Sequence, residues 1–372
     1  MVPSPAAGAV AHRWQTSRVR VLVAMSGGVD SSVAAARLVD EGHQVVGATL
    51  KLWGGASDSG CCSVADVDDA RRVAQQIGVP HYVFDMTEAF HASVVDPYVA
   101  AHAAAQTPNP CVECNRHIKF DLLLERADRL GFDVLATGHH ARVVRGEAGD
   151  PHQLRRGADS DKDQSYVLSM LGQDQLSRVV LPIGDLTKSE VRARAAALGL
   201  RTAAKPDSQD VCFIRSDEGR QRFLGQRLSF HPAAVVDAAT GARMGTVDAL
   251  ELVTVGQRRG FAHGADGTRR YVSLVDADSR TVFVGRAEDV ATGTVSLLDG
   301  SLTWTAAALG VDSPAIAQTS AHGRPMLCTF GRDGGRPCVR FDAPIRPVAP
   351  GQTVALYDAA DPGRVLGAGI AA

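Results

Sequence analysis

Two adjacent glycines at a strand-to-helix junction constrain this chain more than any other feature. They lie in the stretch Ala24-Met25-Ser26-Gly27-Gly28-Val29-Asp30-Ser31-Ser32. Before it, Val19, Val21, Leu22 and Val23 make an apolar run of strand length. After it, residues 32–41 read as a helix closed by Gly42. Such a turn gathers backbone N–H groups at a helix N-terminus, where the dipole also favours an anion. Without Cβ atoms, Gly27 and Gly28 let a phosphate approach the backbone closely. Ser26, Ser31 and Ser32 add hydroxyl donors, and Asp30 is placed to hold Mg²⁺ among phosphate oxygens.

Two other phosphate loops do not fit. The P-loop needs a Lys that is absent here, and the dinucleotide fingerprint needs separated glycines. The stretch resembles instead the SGGxDS loop of the ATP pyrophosphatases (the PP-loop family), which split ATP into AMP and pyrophosphate. Its surroundings agree with such a fold. Residues 43–53, 81–86 and 133–137 read as strands. Helical patterns lie between them, such as Val67, Ala70, Ala74 and Ile77, and Phe120, Leu123, Leu124 and Ala127. The alternation predicts an α/β fold, a doubly wound parallel sheet. Ligands on such sheets sit at the carboxyl ends of strands, where the glycine loop, Leu50 and Gly138 all fall.

Other stretches are less regular. Residues 87–106 read as helical, and residues 107–116, with two prolines, as an ordered loop. Residues 142–160 suggest a hairpin, and Thr187-Lys188-Ser189-Glu190 is a capping box that opens a helix. After about residue 221 strand-like segments take over, at 234–237, 250–255, 271–276 and 281–284. They predict a small α+β or β-rich domain, followed by a C-terminal β-barrel. The expected division is a disordered extension at 1–17, a catalytic domain at 18–221, a central domain at 222–286 and the barrel at 287–372.

A length of 372 residues suits two or three domains. The net charge of −2 means that a nucleic-acid partner must meet a local basic patch. Lysine occurs only at positions 51, 119, 162, 188 and 205, so arginine supplies most of the positive charge. No run reaches the ~18 apolar residues of a membrane helix, and residues 1–17 lack the pattern of a signal peptide. The expectation is a cytoplasmic protein without a membrane partner. In a reducing compartment its cysteines, at 61, 62, 111, 114, 212, 328 and 338, suit burial, catalysis or metal binding better than structural disulfides.

Cys114 is followed by Arg116, His117 and Lys119. A helix start and cationic neighbours both favour the thiolate. Cys212 follows Asp210, in what reads as a short apolar strand. Beside an AMP-forming loop, the two suggest a thiol pair that delivers sulfur to an activated group.

The motifs around them are similar to those of the tRNA-specific 2-thiouridylase family. They are Thr107-Pro108-Asn109-Pro110, Cys114-Asn115-Arg116, Ile118-Lys119-Phe120, Ala136-Thr137-Gly138-His139, Asp161-Lys162-Asp163-Gln164-Ser165-Tyr166, Asp207-Ser208-Gln209-Asp210-Val211-Cys212-Phe213-Ile214, Val255-Gly256-Gln257-Arg258-Arg259-Gly260 and Pro350-Gly351-Gln352. The resemblance spans about residues 19–360. It implies ATP-dependent 2-thiolation of the wobble uridine of tRNA, in which AMP transfer makes the C2 oxygen a leaving group. It further implies that Cys212 carries a persulfide received from a cysteine desulfurase or a sulfur-relay protein. Cys114 would be the nucleophile that forms a transient disulfide with Cys212. By the same likeness Ala24, Met25, Ser26, Gly27, Gly28, Val29, Asp30, Ser31, Leu50 and Gly138 bind ATP. Asn109, Pro110, Cys111, His139, Lys162, Asp163, Gln164 and Gln352 contact tRNA.

Three departures from the family pattern stand out. Position 111 is Cys where Asp is common, position 50 is Leu where Met is expected, and the C-terminal Arg-Tyr pair is missing around Cys328 to Arg332. The first makes Cys111-Val112-Glu113-Cys114 a C-x-x-C and leaves two chemistries open. In one, Cys114 and Cys212 act as a dithiol pair. In the other, Cys111, Cys114 and Cys212 ligate a [4Fe–4S] cluster. A PP-loop ligase for a small molecule is the alternative function, but it leaves both cysteines without work.

Overall fold

The computed structural model of the chain describes residues 18–53, 64–147, 149–207, 211–214, 219–264 and 266–372. The expected extension at 1–17, the Cys61-Cys62 pair and Ser208-Gln209-Asp210 lie outside the described residues.

The chain opens with a five-stranded parallel sheet in the order β3-β2-β1-β4-β7. Its strands are β1 (Arg20–Ala24), β2 (Gln44–Lys51), β3 (His81–Asp85), β4 (Val134–Thr137) and β7 (Val179–Val180). Both faces are covered, so β1 and β4 read as continuous apolar runs rather than alternating ones. Side chains on a strand still point alternately to opposite faces. Val21, Val23, Val134 and Ala136 enter the core beneath the loop helix, with Val33 and Leu38. Leu22, Ala48 and Leu135 enter the opposite core, with Phe90, Ile118 and Phe120. The loop helix, Val29–Asp40, starts directly after the two glycines.

Four expectations need correction. The stretch at 107–116 is not all loop: a helical run starts at Pro110 and continues to Arg129, with a wide π turn at Cys114–Leu122. Proline is tolerated at a first helical position, where its missing N–H would have no partner anyway. Asn109 caps this start, its Oδ1 accepting from the Cys111 and Val112 amides at 3.1 and 3.4 Å. Cys212 lies in a turn, closed by the Ile214 amide on the Val211 carbonyl at 2.9 Å, and not in a strand. A four-residue apolar run cannot separate the two cases by periodicity. The stretch 250–255 contains a 3-10 helix at Leu250–Leu252 instead of a strand. The helical stretch from 87 ends at Ala103, and it too carries a π turn, at His91–Val95.

A two-stranded hairpin, β5 (Ala141–Val144) with β6 (Gln153–Arg156), leaves the sheet after β4. A mixed four-stranded sheet, β10-β11-β8-β9, follows; it contains β8 (Ala233–Asp237), β9 (Arg243–Val247), β10 (Tyr271–Asp276) and β11 (Thr281–Gly285). The last sheet has the order β12-β16-β15-β14-β17-β18-β13. It runs from β12 (Thr292–Ser296) and β13 (Thr303–Trp304) through β14 (Ser313–Gln318), β15 (Met326–Asp333) and β16 (Arg336–Ile345) to β17 (Thr353–Asp358) and β18 (Val365–Ile370). A Leu297–Ala371 bridge joins the end of β12 to the end of β18 and closes the sheet into a barrel.

The barrel packs directly on the parallel-sheet domain. Ala355, Tyr357, Val365 and Ala368 share the core that holds Phe120 and Leu135. Arg155 grips Asp361 with two bonds of 2.6 and 2.8 Å, and the Arg156 guanidinium stacks 3.8 Å from the Tyr357 ring. Among the described residues no helix is long and apolar enough to cross a membrane.

Candidate functional site: a phosphate loop beside a cysteine shell

The loop is held in shape by its own hydroxyls and by the neighbouring strand ends. Ser31 Oγ accepts from the Ser26 amide at 3.1 Å, and Ser32 Oγ donates to the Gly28 carbonyl at 2.7 Å. Met25 is tied to β2 through the Ala48 carbonyl at 2.8 Å and the Thr49 hydroxyl at 2.7 Å. Gly27 has φ +72°, and a Cβ there would come within 2.2 Å of the Asp66 carbonyl oxygen. A Cβ on Gly138 would come within 2.5 Å of the Ser31 amide. Both glycines therefore serve close backbone approach. Ala24, Gly28 and Asp30 are half-buried, Met25, Val29 and Leu50 are buried, and Ser26 is exposed at the mouth of the loop.

Charged groups converge on this loop. Lys188 Nζ lies 2.7 Å from both Asp30 oxygens, and His140 Nε2 lies 3.2 Å from one of them. Burial alone would raise the Asp30 carboxyl; hydrogen bonds from His140 and Lys188, with the Lys188 charge, hold it below its ordinary value instead. Lys188 also meets Asp207 at 2.8 Å, and Lys162 and Arg192 meet that carboxylate at 2.9 and 2.8 Å. Burial works against the Asp207 charge, but Lys188 and Lys162 bring its pKa down to about 2. On the other side of the loop, Lys205 donates to the Gly27 carbonyl at 2.9 Å and to Asp66 and Asp69 at 2.6 and 2.8 Å.

The cysteines stand in different surroundings. Cys114 is buried and Cys212 half-buried, and both pack against the same core. Phe213, next to Cys212, sits among Trp53, Phe90, Tyr98 and Phe223 at ring distances of 5.2 to 6.2 Å. Trp53 directly follows β2, and the helical run bearing Cys114 crosses back toward β4. Both cysteines therefore stand at the carboxyl end of the sheet that carries the glycine loop. Cys111 is exposed. Among the described residues no three His, Cys, Asp or Glu side chains are grouped so as to hold a metal ion.

Sequence comparison places this geometry. Residues 19–216 match the family model described as tRNA methyl transferase HUP domain. Residues 221–286 match the tRNA methyl transferase PRC-barrel domain, and residues 312–371 the aminomethyltransferase beta-barrel domain. The tRNA-specific 2-thiouridylase MnmA of Mycolicibacterium paratuberculosis is 47% identical over 349 residues, covering 91% of this chain and 94% of that one. The MnmA protein of Mycolicibacterium smegmatis is 46% identical, covering 91% and 95%. The chain belongs to the MnmA family. Among solved structures, U34-tRNA thiolase NcsA from Methanococcus maripaludis matches with a TM-score of 0.35 and 17% identity, covering 55% of this chain and 67% of that one.

In this MnmA-family chain the residues expected to meet tRNA fall in two places. Asn109 and Pro110 lie on a seam with the barrel, where Thr107 is held by the Pro350 carbonyl at 2.8 Å and by the Gln352 side chain. Lys162, Asp163, Gln164 and His139 cluster near the end of β4. Gln164 accepts from the His140 amide at 2.8 Å. Asp163 is engaged by Arg156 at 2.6 Å and by the Ser165 hydroxyl at 2.8 Å. His139 is buried beside Thr137, and its burial, with the charges of Lys119 and His140, keeps it well below the usual histidine pKa.

Motif reading placed His140 at the site by its position at the strand end, but missed Lys188, Lys205 and Asp207 as members of the loop site. One signal was available. Three of the five lysines in an arginine-rich chain, Lys162, Lys188 and Lys205, converge here. Lysine supplies a compact point charge suited to a changing partner, whereas arginine favours a fixed fork.

Proposed function

We propose that this chain is a tRNA-uridine 2-sulfurtransferase that acts on the wobble uridine, U34. The observation that carries the reading is the meeting of a PP-loop and two cysteine-bearing segments at the carboxyl end of one sheet. In the first step the C2 oxygen of uridine attacks the α-phosphorus of ATP. An O–P bond forms, the α–β phosphoanhydride bond breaks, and pyrophosphate leaves. Backbone amides at Gly27 and Gly28, the Ser26 and Ser31 hydroxyls and Lys188 stabilise the charge that develops on the phosphates. Asp30 holds the Mg²⁺ that accompanies ATP. Leu50 and Gly138 line the nucleotide site.

In the second step a persulfide on Cys212, loaded by a cysteine desulfurase or a relay protein, attacks C2 through its outer sulfur. AMP leaves with the former C2 oxygen. The Cys114 thiolate then attacks the Cys212 sulfur, so the S–S bond of the carrier breaks and a Cys114–Cys212 disulfide forms. The outer sulfur stays on uridine as the thiocarbonyl. A thiol reductant returns both cysteines to thiols. The aromatic shell around Phe213 keeps water from the activated base. Asn109, Pro110 and Cys111 lie against the base, and His139, Lys162, Asp163, Gln164 and Gln352 serve the tRNA side. The reaction belongs to the cytoplasm.

Thionucleoside analysis of tRNA from a strain lacking this chain tests the reading. Loss of 2-thiouridine at U34, restored by the wild-type chain, is expected. Unchanged tRNA, or AMP formation that needs no tRNA, would overturn it in favour of a small-molecule ligase.

A further inference from the structure

A strap from Thr202 to Asp207 touches the phosphate loop at two points and is tied to it at a third through Lys188. Thr202 Oγ1 donates to Ser32 Oγ at 3.2 Å, and Lys205 Nζ donates to the Gly27 carbonyl at 2.9 Å. Asp207 meets Lys188, whose ammonium also holds both oxygens of Asp30. One helix, Lys188–Ala197, fastens the strap. Lys188 and Arg192 lie one turn apart on the same face of that helix. Arg192 donates to the carbonyls of Ala203 and Lys205 at 2.8 and 3.0 Å and to Asp207 at 2.8 Å. These charge-assisted bonds make the strap move as one piece with the helix start. Five residues beyond Asp207 stands Cys212, and Phe213 is set in the aromatic shell.

Lys188 has two anionic partners in the structure and gains a third when nucleotide arrives. Mg²⁺ at Asp30 would stand against an ammonium that now lies 2.7 Å from the same oxygens, and like charges at such separation repel strongly. A triphosphate in the loop offers that ammonium new oxygens. We propose that Lys188 is a positioning residue that passes from Asp30 to the bound triphosphate while keeping Asp207, so that nucleotide occupancy resets the strap and with it the reactivity of Cys212. The sulfur would then be presented only when the base can be activated. The proposal rests on the ATP reading of the loop.

The test uses the full chain with Mg²⁺ and α,β-methylene-ATP, which cannot be cleaved at the α–β linkage. Alkylation of Cys212 by iodoacetamide is followed by peptide mass, with and without saturating nucleotide. In the wild type the nucleotide changes the rate by about fivefold or more, the lower end of ordinary site-to-site coupling. Arg192→Gln should bind the nucleotide with little change and lose the effect on Cys212. Asp207→Asn should lose it too. Lys188→Met should bind nucleotide more weakly and lose the effect, and Lys188→Arg should restore part of both. A wild type whose Cys212 ignores bound nucleotide overturns the proposal, as does Arg192→Gln or Asp207→Asn with the full effect. If either variant fails to fold, the other and Lys188→Met decide. A wild type that binds no α,β-methylene-ATP sinks the ATP reading of the loop itself, and binding is measured separately by calorimetry.

Discussion

The two halves of the site are built from opposite materials. Around the glycine loop stand two networks of paired charges, Asp30–Lys188–Asp207 and Asp66–Lys205–Asp69. Around Cys212 stand Trp53, Phe90, Tyr98, Phe213 and Phe223, which bring almost no charge. The difference suits the chemistry that the proposed reaction gives to each half. Phosphoryl transfer needs fixed charges and donors where negative charge develops. A sulfur nucleophile and an activated base need protection from water. One strap, Thr202 to Asp207, belongs to the charged half, and Cys212 lies five residues beyond it in the chain.

The largest effect is expected in the charged half. Asp30→Ala removes the acceptor of Lys188 and His140 and the proposed seat for Mg²⁺, and should lower AMP formation by about a thousandfold, the upper range for one stabilising group. The melting curve should remain cooperative. Near-normal turnover in this variant would break the assignment of the loop.

The cysteines sharpen the comparison, because each should fail at its own step. Cys212→Ser should accept no persulfide from a desulfurase, whereas Cys114→Ser should accept one and stall. AMP formation should persist in both, since the charged half is untouched. Intact mass after incubation with desulfurase and cysteine reads the first point. Equal loading of both variants would refute the separate roles. Cys111→Ser should keep activity without bound iron, because Cys111 is exposed and a serine there can still line the base pocket of the proposed reaction.

Much of the charged half was legible in the sequence because its geometry is local. The strand, the two glycines, Asp30 and the helix lie within about twenty residues, and the spacing states the fold. The capping box at Thr187 was equally plain: Thr187 accepts from Glu190, and Glu190 accepts from Thr187. The role of Lys188 inside it was not, since its partner Asp30 is far away in sequence and only the packed sheet brings them together. The Cys212 turn misread as a strand shows the other limit. Its conformation is set by Phe213 docking on Trp53, Phe90, Tyr98 and Phe223, which come from three separate stretches. Pro110 misled for a third reason: its ring forbids a helix interior but suits a helix start, and only the Asn109 cap tells the two apart.

Two glycine variants separate folding from binding within the loop. Gly27→Ala meets the Asp66 backbone at 2.2 Å with φ +72°, so the loop or the following helix must shift. A loss of about 1–3 kcal/mol in unfolding free energy is expected. Gly28→Ala meets only Ser26 Oγ, at 3.4 Å, and should fold normally. Its methyl group would instead stand where phosphate approaches, so nucleotide affinity should fall. Denaturant titration and calorimetry on both variants read the contrast. Equal stabilities, or unchanged affinity in Gly28→Ala, would show that the two glycines do not divide the work this way.

The smallest effect lies at the edge of the aromatic half, on the seam between the parallel-sheet domain and the central sheet, where His102 packs edge-on against Tyr98 at 4.6 Å. His102 is buried there, and its Nδ1 lies 3.1 Å from the Glu251 carbonyl. Its other nitrogen, Nε2, is buried without a hydrogen-bond partner. Burial pushes its pKa down to about 4; the Glu251 bond opposes this and Arg220 adds to it. A histidine that titrates near 4 when folded and near 6.5 when unfolded binds its proton more readily in the unfolded chain. Stability is therefore complete above about pH 6.5 and declines as pH falls toward 4, by at most about 1.4 kcal/mol per pH unit from this group. His102→Asn keeps a donor toward the Glu251 carbonyl and removes the titration. Urea midpoints at pH 7, 6 and 5 should converge for the variant and spread for the wild type. Identical pH dependence in the two proteins would mean that water reaches His102 and that the seam is open. Turnover at neutral pH should change little, because His102 meets the aromatic shell only at the outer edge of Tyr98 and an asparagine leaves the other rings in place.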